Sequence, residues 1–237
     1  MSSTGFGMQR PIVRPIGFAH RGARAILREN TLSSFEHALE LGAAGLESDV
    51  WMTADGVAVL DHDGVVGPVW RRSPIREHER AELPAHIQTL EELYGRCGSD
   101  YELSLDVKDP DALREIVRVA GSSGAVGRLW LCEPDLPWLA AWHDVAPGAN
   151  LVNSTHIAAM KEGWAGRLAG LRQIGVRAIN LHGSEWNAER VTQAHEAGIL
   201  AFGWDAQNDF HIRRLAQLGL DGVYSDHVEV MVRALAR

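Results

Sequence analysis

Short apolar runs and segments of helical periodicity alternate along this chain. The first apolar run, residues 15–19, predicts a buried strand, and the apolar spacing after it predicts a helix over residues 31–41. Further strand-like runs occur near residues 101–107, 128–132, 149–153, 177–181, 199–204 and 221–225. Gly175, Gly198 and Gly219 precede three of these runs, where helix C-terminal caps are expected. The alternation therefore predicts a parallel sheet with helices outside it.

One junction breaks this alternation, because the strand-like residues 46–52 and 57–61 are separated by only four residues. That connection is too short for a parallel crossover. Its Asp-Gly pair is typical of a β-hairpin turn. We therefore expect the second run to fold back antiparallel against the first, with Asp49 opposite His62.

The number of strands favours a closed barrel. Setting the hairpin run aside leaves eight parallel strands, the number that closes a β/α barrel. We predict an α/β fold, a single (β/α)8 TIM-barrel domain over residues 1–237, with the antiparallel hairpin as an excursion after the second strand. A doubly wound open sheet is the alternative. Residues 64–88 carry weak periodicity and three prolines, and we expect a long loop near the barrel mouth.

Composition narrows the classes of function. The chain has 237 residues, with 23 lysines and arginines against 31 aspartates and glutamates, for a formal net charge of -8. We therefore expect no nucleic-acid partner. Cys97 and Cys132 lie far apart without metal-type spacing, which fits a reducing compartment. The sequence shows neither a membrane-spanning apolar stretch nor a secretory signal, so a cytoplasmic protein without integral membrane association is expected.

Three carboxylates on two predicted strands are candidate metal ligands. Glu47 and Asp49 are two residues apart, so both side chains project from one face of their strand. Asp106 and Lys108 repeat this spacing on a second strand, which a barrel would bring near the first. Crowded carboxylates repel one another unless a cation neutralises them. Oxygen ligands favour one divalent cation, Mg²⁺ or Ca²⁺. A solvated edge strand and a simple ion pair are the alternatives.

Two histidines stand at the ends of predicted strands. His20 and Arg21 end the first strand and His62 ends the hairpin strand, so both imidazoles are expected near the carboxylates. Imidazole exchanges protons near neutral pH, and such a pair suits a general base and a general acid. The guanidinium of Arg21 matches phosphate oxygens in geometry, although a structural salt bridge would use it equally well.

An ordered set of motifs runs along the chain. Its members are His20-Arg21-Gly22, Glu29-Asn30-Thr31, Phe35, Ala38, Gly42-Ala43, Glu47-x-Asp49-Val50, Thr53, Asp55-Gly56, His62-Asp63, Thr89-Leu90-Glu91-Glu92, Asp106-x-Lys108, Trp204, Asn208 and Asp221-Gly222-Val223-Tyr224-Ser225-Asp226. In order and spacing this set resembles the signature of the glycerophosphodiester phosphodiesterase family. The N-terminal block is specific, and the later motifs match more loosely.

The resemblance assigns roles by position. It puts the two catalytic histidines at His20 and His62, and the metal carboxylates at Glu47, Asp49 and Asp106. Most members of the family have Glu at the last of these positions, and the related sphingomyelinase D group has Asp-x-Lys there. This departure leaves the subfamily and the substrate open.

Five further residues follow from the resemblance and from their charge. Arg21 and Lys108 are expected to offset charge on the phosphate. Glu29 and Asn30 are expected to support the site without touching the substrate, with helix capping as the alternative for Asn30. Trp204 matches an aromatic residue near the family's substrate, and a core tryptophan is its alternative.

The resemblance implies metal-dependent hydrolysis of a small-molecule phosphodiester to glycerol 3-phosphate and an alcohol. Within the histidine pair, our hypothesis is that His20 is the base and His62 the acid. The nucleophile is either water or the neighbouring glycerol hydroxyl. A lipid-directed activity of lysophospholipase D or sphingomyelinase D type is the alternative within the family. A barrel that binds a phosphorylated ligand without turnover, and a different metal-dependent lyase or isomerase, lie outside it. The oligomeric state stays open.

Overall fold

Eight parallel strands close into a barrel in the computed structural model, which describes residues 14–236. The strands are β1 (Ile16–His20), β2 (Gly45–Met52), β3 (Ala58–Leu60), β4 (Val65–Val66), β5 (Ser73–Pro74), β6 (Glu102–Val107), β7 (Leu129–Glu133), β8 (Asn150–Ser154), β9 (Ala178–His182), β10 (Leu200–Trp204) and β11 (Gly222–Ser225). The α-helices are α1 (Leu32–Glu40), α2 (Leu90–Cys97), α3 (Leu113–Ser122), α4 (Leu136–Val145), α5 (Gly163–Gln173), α6 (Ala188–Glu196), α7 (Asp209–Leu218) and α8 (Val228–Leu235). Short 3₁₀ helices span Val69–Arg71, Ile75–Glu77, Arg80–Glu82, Pro110–Ala112, Val126–Arg128, Ile157–Ala159 and Gly183–Glu185.

The closure of the sheet confirms the predicted barrel. The parallel strands follow the order β1, β2, β6, β7, β8, β9, β10, β11, and β1 pairs with both β2 and β11. The alternative of an open doubly wound sheet is therefore wrong. The hairpin strand β3 adds antiparallel to the outer end of β2, as expected for an excursion from the barrel.

Along each barrel strand, side chains point alternately into the barrel interior and outward toward the helices. Aromatic rings fill the interior: Phe18 stacks on Tyr224 with ring centroids 4.7 Å apart and contacts Phe202 at 5.7 Å. The inward position that follows Phe18 on the same strand is His20, at the carboxyl end. Apolar packing thus occupies the middle of the barrel, and polar side chains occupy the carboxyl ends of its strands.

The helix ends follow signals in the sequence. The helix expected over residues 31–41 is α1, and its N-cap is Thr31, whose Oγ1 accepts a hydrogen bond from the Ser34 N–H at 3.3 Å. Gly175, Gly198 and Gly219 have positive φ angles just after α5, α6 and α7, as expected for C-terminal caps. Within residues 14–236, no helix combines the length and the apolar character that crossing a membrane requires.

The hairpin register differs from the expected one by a single residue. Asp49 lies opposite Asp61, whose N–H donates to the Asp49 carbonyl at 3.1 Å, and not opposite His62. The reason is the turn, where the Thr53 N–H donates to the Val57 carbonyl around a three-residue loop. A loop of this length ends on a glycine with positive φ, as Gly56 does at 81°. His62 consequently lies beyond the paired strand.

The segment between β3 and α2 is more ordered than its weak periodicity indicates. It holds the β4–β5 pair and three 3₁₀ helices, each two or three residues long. Ile75, Leu83 and Ile87 are buried and pack with Val59 in a small core of their own. Stretches this short contain less than one full period of a sequence pattern, so periodicity alone predicts only a loop.

Candidate active site

The carboxyl ends of the barrel strands surround a cavity of about 450 Å³. Its walls include His20, Glu47, His62, Asp106 and Trp204. These residues lie far apart in sequence, and barrel closure brings them together because parallel strands end on the same face. Both predicted histidines and two of the three predicted carboxylates therefore line one cavity.

The third carboxylate completes a cluster beside the cavity. Glu47 and Asp49 point into the barrel from β2, and the β2–β6 register pairs Asp106 with Asp49. One oxygen of each carboxylate lies within 4.8 Å of the other two. Glu47 and Asp49 are only 6% and 2% exposed, whereas Asp106 is half-buried.

Burial and mutual repulsion disfavour the ionised form of the carboxyl groups in this cluster. The pKa of Glu47 is raised to about 8, mainly by burial; His20 lowers this pKa, and the nearby Asp49 and Asp106 raise it. Burial also raises the pKa of Asp49, against the effect of Lys108. Lys108 Nζ lies 3.2 Å from Asp49 Oδ1 and 3.0 Å from Asp106 Oδ2. One lysine thus bridges two of the three carboxylates.

This donor set fits a hard divalent cation. The three groups supply only carboxylate oxygens, and Oδ2 of Asp49 is buried without a hydrogen-bond donor. Arg21 Nε lies 3.4 Å from that oxygen as an ion-pair partner but donates no hydrogen bond to it. A cation bound here would favour the ionised form of Glu47 and offset the repulsion within the cluster. Oxygen-only ligand sets are typical of Mg²⁺ and Ca²⁺ sites.

His20 is held by a carboxylate from the end of the last barrel strand. Its Nδ1 lies 2.6 Å from Oδ1 of Asp226, and its Nε2 lies 3.8 Å from Oε2 of Glu47. Burial by itself would lower the pKa of His20, but Glu47 and the hydrogen bond to Asp226 outweigh burial and raise the pKa. With Nδ1–H donated to Asp226, Nε2 is left to exchange a proton in the cavity.

His62 reaches the cavity from the hairpin and not from a barrel strand. It follows β3 by two residues, and its side chain is 42% exposed. Its Nδ1 lies 2.9 Å from Oδ1 of Asp63. The two imidazoles therefore differ in environment, since one is enclosed by carboxylates and the other is open to solvent.

Arg21 is bound by carboxylates of the protein and does not line the cavity. Its backbone is left-handed, with φ at 56°, and its N–H donates to both the carbonyl and Oε2 of Glu47 at 3.0 Å. Its Nη1 donates to both oxygens of Glu29 at 3.2 Å, and its Nε faces Asp49. The nearby Arg24 lines the cavity instead. Of the two uses expected for Arg21, the salt bridge is the one that the structure contains.

Asn30 braces the strand that carries the carboxylates. It is buried and left-handed, with φ at 54°, and its Oδ1 accepts a hydrogen bond from Ser48 Oγ at 2.8 Å. Ser48 lies between Glu47 and Asp49 on β2. The alternative role as a helix cap is wrong, because Thr31 caps α1.

Trp204 forms part of the cavity wall at the end of β10. Two imidazoles contact it edge-on: His182 at 4.6 Å and His156 at 5.3 Å between ring centroids. The next residue, Asp205, also lines the cavity and adopts a left-handed φ of 62°. Trp204 therefore belongs both to the partly buried packing of the barrel interior and to the cavity surface.

The most important residue that sequence reasoning left without a role is Asp226. It closes the motif that includes Tyr224, and its position two residues later puts it on the same inward face. Residue 226 is 206 positions from His20. Pairing of β11 with β1 brings Asp226 and His20 together. The motif around Asp226, combined with closure of the predicted barrel, was therefore the signal that could have identified this pair.

Comparison with known proteins gives a family match. The model of the Glycerophosphoryl diester phosphodiesterase family matches residues 20–103. A curated glycerophosphodiester phosphodiesterase of Caldanaerobacter subterraneus subsp. tengcongensis is 23% identical over 248 residues, which cover 95% of this chain and 99% of the relative.

Solved structures share the fold. A putative glycerophosphoryl diester phosphodiesterase from Silicibacter pomeroyi superposes with a TM-score of 0.84 at 22% identity, covering 94% of both chains. An Oleispira antarctica phosphodiesterase, solved in complex with the product sn-glycerol-3-phosphate, superposes with a TM-score of 0.81 at 22% identity, covering 94% of this chain and 98% of the other.

Proposed function

This chain belongs to the glycerophosphodiester phosphodiesterase family, and on that premise we propose that it hydrolyses small-molecule glycerophosphodiesters to glycerol 3-phosphate and an alcohol. The observation that carries the proposal is the meeting of His20, His62 and the carboxylate cluster at one cavity. The named activity of the full-length relative and the product held by the Oleispira antarctica structure support it.

We further propose that the reaction depends on one divalent cation, Mg²⁺ or Ca²⁺. Glu47, Asp49 and Asp106 would hold it. When bound, the cation would polarise the phosphodiester as a Lewis acid. Lys108 stays close enough to the cluster to share in neutralising the charge that develops on the phosphate oxygens.

His20 is the proposed general base. Asp226 accepts its Nδ1–H, which fixes the tautomer and leaves Nε2 free to remove a proton from the nucleophile. The nucleophile is a water molecule or the adjacent glycerol hydroxyl, and the latter gives a cyclic phosphate that water opens in a second step. The Asp226 carboxylate also stabilises the imidazolium that forms.

His62 is the proposed general acid. Its partly exposed position at the hairpin end suits proton donation to the departing alcohol. Arg24, which lines the cavity, takes the phosphate-facing role that the sequence suggested for Arg21. Arg21 and Glu29 act by holding Asp49 and the turn after β1 in place. Trp204 contributes a wall for the substrate.

The test is release of glycerol 3-phosphate from glycerophosphocholine by the purified protein with Mg²⁺, with Ca²⁺ and with EDTA. His20→Ala, His62→Ala and Glu47→Gln should each lower kcat by at least about 100-fold, the lower range for general acid–base catalysis. His37→Ala is the matched control, because this partly exposed histidine on α1 forms an ion pair with Glu40 at 3.2 Å and does not line the cavity. Equal activity of wild type and His20→Ala, or full activity in EDTA, would contradict the mechanism. Turnover of lysolipids alone would reject the soluble substrates.

A further inference from the structure

The large apolar side chains that stay exposed within residues 14–236 share one face of the barrel. They are Ile26, Leu27, Val69, Trp70, Trp138 and Phe210. The first two lie in the connection from β1 to α1, and the next two lie in the segment between β3 and α2. The last two lie in the first turns of α4 and α7, directly after β7 and β10. The hairpin strand β3 and the segment after it belong to the connection from β2 to α2, so all these connections leave the carboxyl ends of barrel strands, the face on which the cavity opens.

The most exposed of these side chains stand on a fixed turn. Val69 is 79% exposed and Trp70 is 88% exposed. Their 3₁₀ turn lies between the paired antiparallel strands β4 and β5, so this tip, residues 69–71, is part of an ordered hairpin. Arg72, just after the tip, forms an ion pair at 4.0 Å with Asp63, the neighbour of His62. The tip is therefore tied to the rim of the cavity, and packing within the fold gives no reason for an exposed tryptophan there.

Positive charge accompanies the exposed apolar residues. Arg28 follows Ile26-Leu27, and Arg71 and Arg72 follow Val69-Trp70, and all three arginines are exposed. Arg28 and Arg71 form no ion pair with a carboxylate in the part of the chain that the structure describes. The chain as a whole carries a formal charge of -8. The exposed apolar residues are thus accompanied by local positive charge, although the chain as a whole is negatively charged.

From these observations we infer that the carboxyl-end face of the barrel docks reversibly on an anionic lipid surface. Trp70 and Val69 enter the interfacial layer, and Arg28, Arg71 and Arg72 face the anionic headgroups. Tryptophan favours the membrane–water interface, and apolar insertion combined with basic side chains is the pairing that gives peripheral binding. Apolar tips spread around a cavity mouth suit a fluid interface, whereas a rigid protein partner needs a continuous patch.

Docking in this orientation turns the cavity mouth toward the headgroups of lipids in the surface. This extends the proposed function, since phosphodiesters held in a lipid aggregate would lie close to the site. The interaction itself is independent of turnover. A binding measurement therefore tests it even if the proposed reaction fails, and the reaction can hold if binding fails.

The experiment is co-sedimentation of the full chain with vesicles of phosphatidylcholine alone and of phosphatidylcholine mixed with phosphatidylglycerol, at low and high salt. The wild type should bind the mixed vesicles, and high salt should weaken the binding. Val69→Ser with Trp70→Ser should lower the partition coefficient at least about tenfold. Arg71→Gln with Arg72→Gln should lower it about 25-fold, from about fivefold for each arginine.

A matched control keeps the charge change but moves it to the opposite face. Arg172 and Arg233 are exposed in the last turns of α5 and α8, so Arg172→Gln with Arg233→Gln should bind vesicles like the wild type. Circular dichroism should be unchanged in every variant. Turnover of glycerophosphocholine should be unchanged in the Val69→Ser, Trp70→Ser variant and in the Arg172→Gln, Arg233→Gln control, since none of these four residues lines the cavity.

Three results would overturn the inference. The first is absence of wild-type binding to the mixed vesicles. The second is undiminished binding of the Val69→Ser, Trp70→Ser variant. The third is self-association of the wild type in sedimentation velocity that this variant abolishes, which would show that a second copy of the chain covers the face.

Discussion

Replacing Asp226 by Asn tests whether the carboxylate positions the proposed base. The variant keeps the size of the side chain but loses the charge behind a hydrogen bond of 2.6 Å to His20 Nδ1. A hydrogen bond to a charged group contributes about 1.5–3 kcal/mol. Since about 1.4 kcal/mol corresponds to a factor of ten in rate, kcat should fall about 10- to 150-fold.

The pH profile supplies the sharper readout. Asp226 and Glu47 raise the pKa of His20 above 6.5. Because a base must be neutral to act, kcat/KM of the wild type should rise through that raised pKa. In Asp226→Asn this limb should move about one to two units toward lower pH, by the same free energy. Initial rates of glycerol 3-phosphate release across pH give both quantities.

A second aspartate–histidine pair provides the control. Asp221 Oδ2 lies 2.8 Å from His195 Nε2, and neither residue lines the cavity. Asp221→Asn should therefore leave the pH profile unchanged. An Asp226→Asn protein with wild-type kcat and an unmoved acid limb would refute the idea that Asp226 acts through His20, and would leave it a purely structural residue.

The remaining predictions concern the carboxylate cluster and the hairpin. Because burial raises the pKa of Glu47 from 4.5 to about 8, the metal-free fold holds a proton that the unfolded chain has lost, so the thermal midpoint of the EDTA-treated protein should fall as pH rises from 4.5 to about 8. Glu47→Gln should show a smaller slope, because Asp49 is then the remaining cluster carboxyl with a raised pKa, and cation binding to the wild type below pH 8 should release a proton in calorimetry. Asp106→Glu should keep turnover and change the ratio of Mg²⁺- to Ca²⁺-supported rates, whereas Asp106→Asn should lower kcat at least about 100-fold. Gly64→Ala should lower the free energy of unfolding by about 2–5 kcal/mol in urea, because its φ is 67° and a Cβ would lie 2.3 Å from the Trp51 ring.

Each of these has a result that would contradict it. A pH-independent midpoint in the metal-free wild type would mean that Glu47 is ionised in the fold. Equal rates for Asp106→Asn and wild type would remove Asp106 from the ligand set. For the glycine, Gly56→Ala is the control, because its φ is 81° with open space around it, so only the left-handed strain of about 1–2 kcal/mol should appear. Equal losses at the two glycines would contradict the role of the Trp51 contact.

The sequence was sufficient to predict the features of the fold that follow from local rules. Period-two spacing put Glu47 and Asp49 on one face, and the count of apolar runs gave the eight strands of the barrel. The short connection identified the hairpin as antiparallel. Its register could not be predicted, because an Asp-Gly pair fits loops of two or of three residues, and the hydrogen bond from the Thr53 N–H to the Val57 carbonyl closes a loop of three.

Tertiary structure decided which charges meet. Closure of the barrel brings Asp226 to His20 across 206 positions, and no local pattern contains that distance. The left-handed turn after β1 directs the Arg21 guanidinium to Glu29 and Asp49, while Arg24 lines the cavity. Sequence alone therefore determined the fold and the chemical groups of the site, since these follow from periodicity and residue type. Partner choice and pKa depend on distances and burial, and only the folded chain sets those.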